Sequence, residues 1–468
     1  MSRRFLTLLF TVLLAGCVPT PEPPLIERVC ERGVLRVGTF YSASTYRLDA
    51  SGPTGPEYAL VRAFADELGV TVAVVVENRP DRLLSMLQRG EVDVAVGLEV
   101  TPRRRRQVMF GPVYQSLEQY VLVRRGVKKP RKIEDLYGSE IEVVRGSVQE
   151  EQLRRLAHNG HPRLLWRADA EHTTEELMGL MNDQLVDVTI ANHNDVVLYQ
   201  RFLPDVSVAM TFGEPLRRAW AFRRTDDRSV VRRAERFFRH YTESEQLDRQ
   251  LAHFYGHLEK AGAVPAAIHS LLPNVYRRLP ALQPYFEEAA AETGLDWRFL
   301  AAIGYQESVW NPKAVSPTGV RGVMQLTLRA AKDMGIEDRN DPRQSILGGA
   351  RYFLTIKRRL PKRIQDPDRT WLALAAYNVG FGHLEDARRL TQAGGRNPDR
   401  WYDVRQFLPR LAEKQWYTKT RYGYARGGEP VIYVRRVRRY YDLLVWHTRV
   451  DVPPEPPPRV PIIDLLTL

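Results

Sequence analysis

Cysteine is scarce in this chain of 468 residues, which contains two, Cys17 and Cys30. After residue 17, no apolar run reaches the roughly 20 residues that a helix needs to cross a bilayer. The chain also lacks a P-loop, a dinucleotide-binding glycine fingerprint and a defensible Ser-His-Asp set. These absences argue against nucleotide-dependent chemistry and against a serine-hydrolase site.

Acidic residues are outnumbered, with 56 Asp and Glu against 69 Lys and Arg, which gives a net charge of +13. A basic chain can bind a polyanion: nucleic acid, anionic lipid or a carboxylate-rich polymer. Because arginine is spread along the chain, an ordinary solvated basic surface remains an equal alternative. The length predicts about three structural units at roughly 150 residues each.

The first residues, MSRRFLTLLFTVLLAGC, combine two arginines, a short apolar core and small residues before Cys17. Leu14–Cys17 resembles the bacterial lipobox, which implies a signal peptide over 1–17 and lipidation of Cys17. An ordinary signal peptide with a chance cysteine, or a retained anchor, remains open. Val18 in place of aspartate favours the outer membrane. We therefore expect a lipid anchor at the periplasmic face of the outer membrane. A tether over 18–33 would follow, and the rest of the protein would be soluble and periplasmic.

Residues 34–225 alternate short β-rich runs with helical stretches, beginning with a strand predicted at 35–40 and a helix at 56–69, which is typical of βαβ units around a parallel sheet. The pattern occurs twice, so we expect two α/β lobes with a cleft between them. A charged helical connector follows at 227–262 and is expected to place His253 in solvent, and the rest of the chain favours helices and loops. The predicted units are 34–263, 264–450 and a Pro-rich tail at 451–468.

Glu307 lies at an unusual position in the helical pattern of the C-terminal half. Asp296 can cap a helix predicted at 297–309, with Asn311-Pro312 as its stop signal. Leu300, Ile303 and Glu307 share one face of this helix. Burial on that face would raise the pKa of the carboxyl group and keep it able to donate a proton near neutral pH. A structural glutamate with a local partner is the alternative.

Four separated motifs occur in order: Glu-Ser at 307–308, Gly-Val-Met-Gln at 322–325, Ala-Tyr-Asn at 376–378 and IYVRRVRRYYD at 432–442. Over about residues 270–445 they resemble the goose-type lysozyme and lytic transglycosylase domain, an all-α lysozyme-like fold of the α+β superfamily. The resemblance implies that Glu307 is the single catalytic acid/base and that Tyr377 orients it. It also implies substrate contacts by Ser308, Ser316, Met324, Gln325, Tyr377, Asn378, Glu429 and Tyr433.

No Asp or Glu lies between Glu307 and Gln325, and the next acid is Asp333. A glycosidase usually needs two carboxylates. A single carboxylate instead suits a substrate-assisted reaction on peptidoglycan glycan strands, ending in 1,6-anhydromuramoyl products. A hydrolytic goose-type lysozyme and a non-catalytic muropeptide-binding lipoprotein are the alternatives. Neither a cofactor nor a metal is expected.

Residues 34–225 resemble the periplasmic solute-binding proteins for amino acids, through GLEVTPRRRRQVMFGPVY at 97–114. This implies a two-lobed α/β module. It also implies ligand contacts by Tyr41, Tyr46, Thr101, Arg104, Ser147 and Asn192. The family usually has aspartate where this chain has Asn192, so a stem peptide or muropeptide is expected instead of a free amino acid. The run of four arginines at 103–106 lies inside this motif, so we attribute it to ligand binding and expect no nucleic acid partner.

Overall fold

The computed structural model describes residues 22–448 except 50–51, 257 and 259–265, and it does not describe the side chains of 49, 201, 266–270 and 272. The predicted signal peptide with Cys17 and the tail at 451–468 lie outside the described residues. The predicted boundary between 263 and 264 also lies outside them.

Helices and short strands alternate through the N-terminal half. Up to residue 124 the elements are α1 (Leu25–Arg32), β1 (Val34–Thr39), β2 (Arg47–Asp49), β3 (Gly52–Thr54), α2 (Pro56–Leu68), β4 (Thr71–Val76), α3 (Pro80–Arg89), β5 (Val94–Ala95), α4 (Pro102–Gln107), β6 (Val108–Leu117) and β7 (Gln119–Arg124). Up to residue 255 they are β8 (Glu140–Val144), α5 (Val148–His158), β9 (Leu165–Asp169), α6 (Thr174–Asn182), β10 (Val188–Asn192), α7 (His193–Tyr199), β11 (Val206–Thr211), β12 (Leu216–Arg223), α8 (Ser229–Glu243) and α9 (Gln246–Tyr255).

The remaining helices are α10 (Ala266–Arg277), α11 (Leu279–Thr293), α12 (Trp297–Ser308), α13 (Leu328–Asp333), α14 (Pro342–Arg359), α15 (Asp368–Val379), α16 (Phe381–Ala393), α17 (Trp401–Phe407), α18 (Lys414–Tyr417) and α19 (Gly428–His447). Short 3-10 turns occur at Ile133–Leu136, Gln200–Phe202 and Leu408–Ala412. No helix in the described part of the chain is both long and apolar enough to cross a membrane.

Two lobes form the N-terminal half, as the sequence predicted. The first has the strand order β4-β1-β5-β12-β6, and the second has β11-β7-β10-β8-β9. The parallel pairing expected of βαβ units is present, in β1 with β4 and β5 and in β8 with β9 and β10, but each sheet also contains antiparallel strands. In the first sheet β12 runs antiparallel to β5 and β6, and in the second β7 runs antiparallel to β10 and β11. The chain crosses between the lobes twice, so the late strand β12 returns to complete the first sheet, whereas the second sheet is built from the consecutive strands β7 to β11.

The predicted tether is partly helical. Leu25–Arg32 forms α1, which places Val29 in the core of the first lobe at 0% exposure. The backbone N–H of Leu25 also donates to Asp227 Oδ2 at 2.5 Å. Residues 25–32 of the expected tether therefore form a packed helix, because the amphipathic α1 buries one face against the lobe.

The C-terminal half is helical, apart from isolated β-bridges near Val315 and Arg321 within the described residues. Its single large core includes buried residues from α11, α12, α14, α15 and α19. Helix α12 packs at the centre, where Leu300 and Ile303 are fully buried. This packing fixes the helix that carries Glu307.

The last helix also joins the two halves. Trp446 of α19 stacks on Phe202 with ring centroids 5.1 Å apart, and its ring lies 5.7 Å from that of Tyr199. Both partners belong to the second lobe. The Arg438 guanidinium of the same helix donates to the backbone oxygen of His253 in α9. One helix therefore contacts the binding module and forms part of the C-terminal core.

Candidate functional site

Glu307 occupies the last turn of α12. The helix begins as predicted, because Asp296 accepts the backbone N–H of Arg298 at 2.8 Å. It ends at Ser308, earlier than the Asn311-Pro312 stop that the sequence suggested, because Val309 and Trp310 both adopt left-handed backbone angles. The Trp310 indole N–H donates to the backbone oxygen of Ala301 at 2.8 Å and holds this turn in place.

The carboxyl group of Glu307 is paired with a tyrosine. Tyr433 of α19 donates its hydroxyl to Glu307 Oε1 at 2.6 Å. Glu307 keeps part of its side chain exposed, yet burial of the carboxyl raises its pKa from 4.5 to about 7, while the Tyr433 hydrogen bond acts to lower it. Desolvation disfavours the charged form, so the group can hold or release a proton near neutral pH.

Ser308 connects the end of α12 to the following loop. Its hydroxyl lies 2.9 Å from the backbone oxygen of Val323 and accepts the Asn311 N–H at 3.1 Å. Gly322 has no room for a side chain, since a Cβ there would meet the Arg339 backbone oxygen at 1.8 Å. These contacts hold the Gly-Val-Met-Gln segment against α12, so Ser308 positions the loop from a buried site.

The loop ends at Gln325, whose backbone is left-handed. Its side-chain amide donates to the backbone oxygens of Ala314 and Gly322, at 3.1 and 2.8 Å. Met324 is fully buried and contacts Gly304 and Gly349, where glycines leave space for its side chain. In this conformation the predicted apolar substrate contact by the Met324 side chain is therefore absent.

Tyr377 was predicted to orient the glutamate, but its hydroxyl instead donates to the backbone oxygen of Met324 at 2.9 Å. Tyr433, predicted only as a substrate contact, makes the hydrogen bond to Glu307. The difference is physical: α19 brings its first turns over the end of α12, while α15 brings Tyr377 against the loop. Both tyrosines therefore lie beside the end of α12 and the loop at 322–325.

The remaining predicted residues lie at the surface. Ser316 is half-buried and accepts the backbone N–H groups of Thr318 and Val320 in its own turn. Asn378 is exposed at the end of α15, and Glu429 is exposed and lies 3.4 Å from Arg426. All three side chains are therefore accessible from solvent.

No second carboxylate affects Glu307 within the described residues, since burial and Tyr433 are the causes of its shifted pKa. Cavities of about 580 and 480 Å³ lie at the junction of the two halves and one of about 100 Å³ lies in the binding module, and Glu307 lines none of these. The geometry supports one proton-transfer group in place of an acid-and-nucleophile pair.

The cleft between the two lobes forms a cavity of about 100 Å³. Tyr41, Arg104, Ser147 and Asn192 line it, as the sequence predicted. Thr101 and Tyr46 do not. Thr101 caps α4 and donates across the lobes to Glu151 at 3.2 Å, and the Tyr46 ring lies edge-on to that of Tyr41.

Two buried arginines face this cavity. Arg104 donates to the backbone oxygen and carboxylate of Glu99, at 3.1 and 3.4 Å, and across the cleft to the backbone oxygen of Gly146 at 3.2 Å. Arg218 donates to Glu99 at 3.0 Å. Glu99 therefore links both guanidinium groups, and the Gly146 contact holds the lobes in a closed arrangement.

Asn192 is the N-cap of α7 and forms hydrogen bonds with Asp195. Its amide donates to Asp195 Oδ2 at 2.7 Å, and its side-chain oxygen accepts the Asp195 N–H at 3.1 Å. Burial raises the pKa of Asp195 to about 6, opposed by a hydrogen bond from Ser44 and the charge of Arg218. The cavity thus has an acid three residues beyond the expected position.

Several cavity residues were missing from the sequence prediction: Glu99, Glu175, Asp195, Tyr199 and Arg218. Glu99 was within the recognised 97–114 segment and could have been considered. Arg218 lies on β12, which returns to the first lobe after the second is complete. Nothing in its local sequence indicates that return.

Family models and relatives agree with both resemblances. The model described as "Transglycosylase SLT domain" matches residues 284–399, and "Bacterial extracellular solute-binding proteins, family 3" matches 35–257. A relative from Ectopseudomonas mendocina, named "Membrane-bound lytic murein transglycosylase F", is 44% identical over 94% of this chain and 90% of its own length. One of the same name from Pseudomonas fluorescens is 42% identical over 94% of this chain and 90% of its own.

The Tyr433 contact predicts a measurable change in the titration of Glu307. In Tyr433→Phe the carboxylate loses its hydrogen bond, so we expect the Glu307 pKa to rise above about 7. The measurement is ¹³C NMR of carboxyl-labelled glutamate, with the resonance assigned from its loss in Glu307→Gln. Tyr441→Phe is the control, because Tyr441 lies on the same helix but donates to Asp296. Equal pKa values in both tyrosine variants would refute the assignment.

Proposed function

This chain belongs to the family of membrane-bound lytic murein transglycosylase F, and on that basis we propose Glu307 as its catalytic acid and base. The chain is a murein lytic transglycosylase, which cleaves the bond between N-acetylmuramic acid and N-acetylglucosamine in peptidoglycan without consuming water. The observation that carries the residue assignment is one buried carboxyl group with a raised pKa and no carboxylate partner.

The proposed reaction needs a single group that first donates and then accepts a proton. Protonated Glu307 gives its proton to the glycosidic oxygen as the bond to the muramic acid C1 breaks. The N-acetyl oxygen of that sugar attacks C1 and stabilises the positive charge. The Glu307 carboxylate then removes the proton from the sugar's C6 hydroxyl, whose oxygen displaces the N-acetyl oxygen at C1. The product is the 1,6-anhydro sugar, and Glu307 is protonated again.

The neighbouring residues support this cycle. The Tyr433 hydroxyl stabilises the ionised glutamate after the first step, and it can stay bonded when the carboxyl group is protonated. Ser308, Gln325 and Tyr377 hold the loop beside it through their hydrogen bonds to loop backbone atoms. We propose that Ser316, Asn378 and Glu429, which are at the surface, contact the glycan.

The product distinguishes this reaction from hydrolysis. We expect purified peptidoglycan digested with the protein lacking residues 1–17 to yield anhydromuramoyl products, lighter by one water than hydrolytic products in mass spectrometry. Glu307→Gln cannot donate or accept the proton, so its yield should fall at least about 100-fold. Asp333→Asn is the matched control for loss of an exposed acid in the helical domain, since the Asp333 side chain is 56% exposed and has no proposed substrate contact. Reducing muramoyl ends would instead indicate a lysozyme, and no product from the native protein would indicate a glycan-binding lipoprotein.

The binding module is proposed to hold one end of a cell-wall stem peptide. Arg104 and Arg218 can attract a carboxylate, while Asp195 and Glu175 can attract an ammonium group. A cavity of about 100 Å³ accommodates a group of about one residue, so the rest of a peptide would extend out of the closed cleft. Asp195 supplies the negative charge that Asn192 lacks.

The Asp195 hypothesis predicts a pH-dependent affinity for stem tetrapeptide in isothermal titration calorimetry. With a pKa of about 6, Asp195 is ionised above that pH, so native affinity should rise as pH increases through 6. Asp195→Asn should bind about tenfold more weakly at pH 7.5 and lose this pH dependence, since a charge-assisted hydrogen bond is removed. Asp187→Asn, at a side chain that is 56% exposed and pairs with Arg124, is the control. Equal affinity in all three proteins would eliminate Asp195 as the ammonium contact.

Anchoring by lipid at Cys17, on the periplasmic face of the outer membrane, is proposed from the signal-peptide pattern and Val18. Relatives are named membrane-bound. The test is fractionation of cells that produce the native chain or Cys17→Ser. We expect native protein with the outer membrane and the variant elsewhere, and equal distribution of the two would contradict lipid anchoring.

A further inference from the structure

A cavity of about 480 Å³ lies between the binding module and the helical domain. Helices α2 and α9 provide one wall, and α15, α17 and α19 provide the other. The cavity is separate from the lobe cleft and from Glu307. Neither the transglycosylase reaction nor the peptide ligand of the cleft uses it.

Its lining is strongly basic. Five arginines contribute, namely Arg62, Arg249, Arg400, Arg405 and Arg438, against two aspartates, Asp66 and Asp368. His253 also lines the cavity, but burial lowers its pKa to about 4, so it adds no charge at neutral pH. The sequence had placed this histidine on a solvated connector helix, which is wrong because the helical domain covers it.

Hydrogen-bond donors exceed acceptors at this cavity. Within the described part of the chain, three buried donor atoms of lining residues have no acceptor: Trp371 Nε1, Gln250 Nε2 and Arg249 Nε. Buried donors are normally paired, and each unpaired one is destabilising. They lie on both walls, because Gln250 and Arg249 belong to α9 and Trp371 belongs to α15.

Two arginines of the helical domain, Arg400 and Arg405, line the cavity before and within α17. Both are half-buried and have no close ion pair among the described residues, although the Arg405 guanidinium lies 4.8 Å from the Tyr402 ring. Asp368 and the buried Asp403 act on them only at longer range. Arg438 is already engaged, since it donates to His253 and lies 4.6 Å from the Trp371 ring.

We propose that this cavity binds a small multivalent oxyanion, phosphate or a compact polycarboxylate, through Arg400, Arg405 and the indole N–H of Trp371. Guanidinium groups bind such anions through paired N–H donors. The Gln250 amide from α9 would complete the site from the other wall. A bound anion would therefore offset the positive charge between the two domains and hold α9 against α15 and α17.

The test measures binding to the full chain purified in detergent, by calorimetry and by the thermal unfolding midpoint at pH 7.4. Sodium phosphate and sodium citrate are compared with sodium chloride at equal ionic strength. A ligand that binds the folded state raises the midpoint in a concentration-dependent way. We expect phosphate, citrate or both to raise the unfolding midpoint more than chloride does. The comparison of phosphate with citrate then identifies whether phosphate or carboxylate groups are preferred.

Arg400→Gln and Arg405→Gln should each weaken the affinity at least about tenfold, because a charge-assisted hydrogen bond is lost. Arg405→Lys keeps the charge without the planar fork and should retain part of the affinity, which separates binding from folding. Arg155→Gln, an exposed arginine on α5 of the second lobe, should bind like the native chain. Chloride-like behaviour of both anions, or an equal loss in Arg155→Gln, would overturn the proposal.

Discussion

The contact between α12 and α19 is the constraint on which the geometry around Glu307 depends. Burying the end of α12 removes the Glu307 carboxyl from water and raises its pKa, and α19 supplies the Tyr433 hydroxyl that keeps the ionised form accessible. A carboxylate without that hydrogen bond would be still harder to ionise, whereas an exposed one would be fully ionised near neutral pH. The balance between burial and one donor gives a group able to act in both proton-transfer steps.

The same helix extends this dependence to the binding module. Tyr433 and Trp446 are 13 positions apart on α19, which corresponds to about 20 Å along a helix. Trp446 packs on Tyr199 and Phe202, and Tyr199 also lines the ligand cavity and accepts the Ala43 N–H at 2.7 Å. The binding cleft, the domain junction and Glu307 are therefore connected by packed side chains on one helix.

Much of the chain could be predicted because its strongest signals are local. The helix that carries Glu307 was predicted at 297–309 and found at Trp297–Ser308, since its apolar spacing and Asp296 cap lie within a dozen residues. Helix α2, predicted at 56–69, ends one residue earlier, and strand β1 is displaced by one. Predictions failed where distant segments meet: the antiparallel return of β12, the burial of Met324 and the partner of Tyr377 all depend on packing.

The sequence by itself determined the two-module organisation, the identity of the single acid and the absence of another carboxylate between Glu307 and Gln325, because these follow from residue order. Only the tertiary structure decided which tyrosine bonds Glu307, that Asp195 accompanies Asn192 in the ligand cavity, and that five arginines from both halves line one cavity. Each of these results joins residues far apart in the chain or depends on burial. Periodicity reports which face of an element is buried, but not what packs against it.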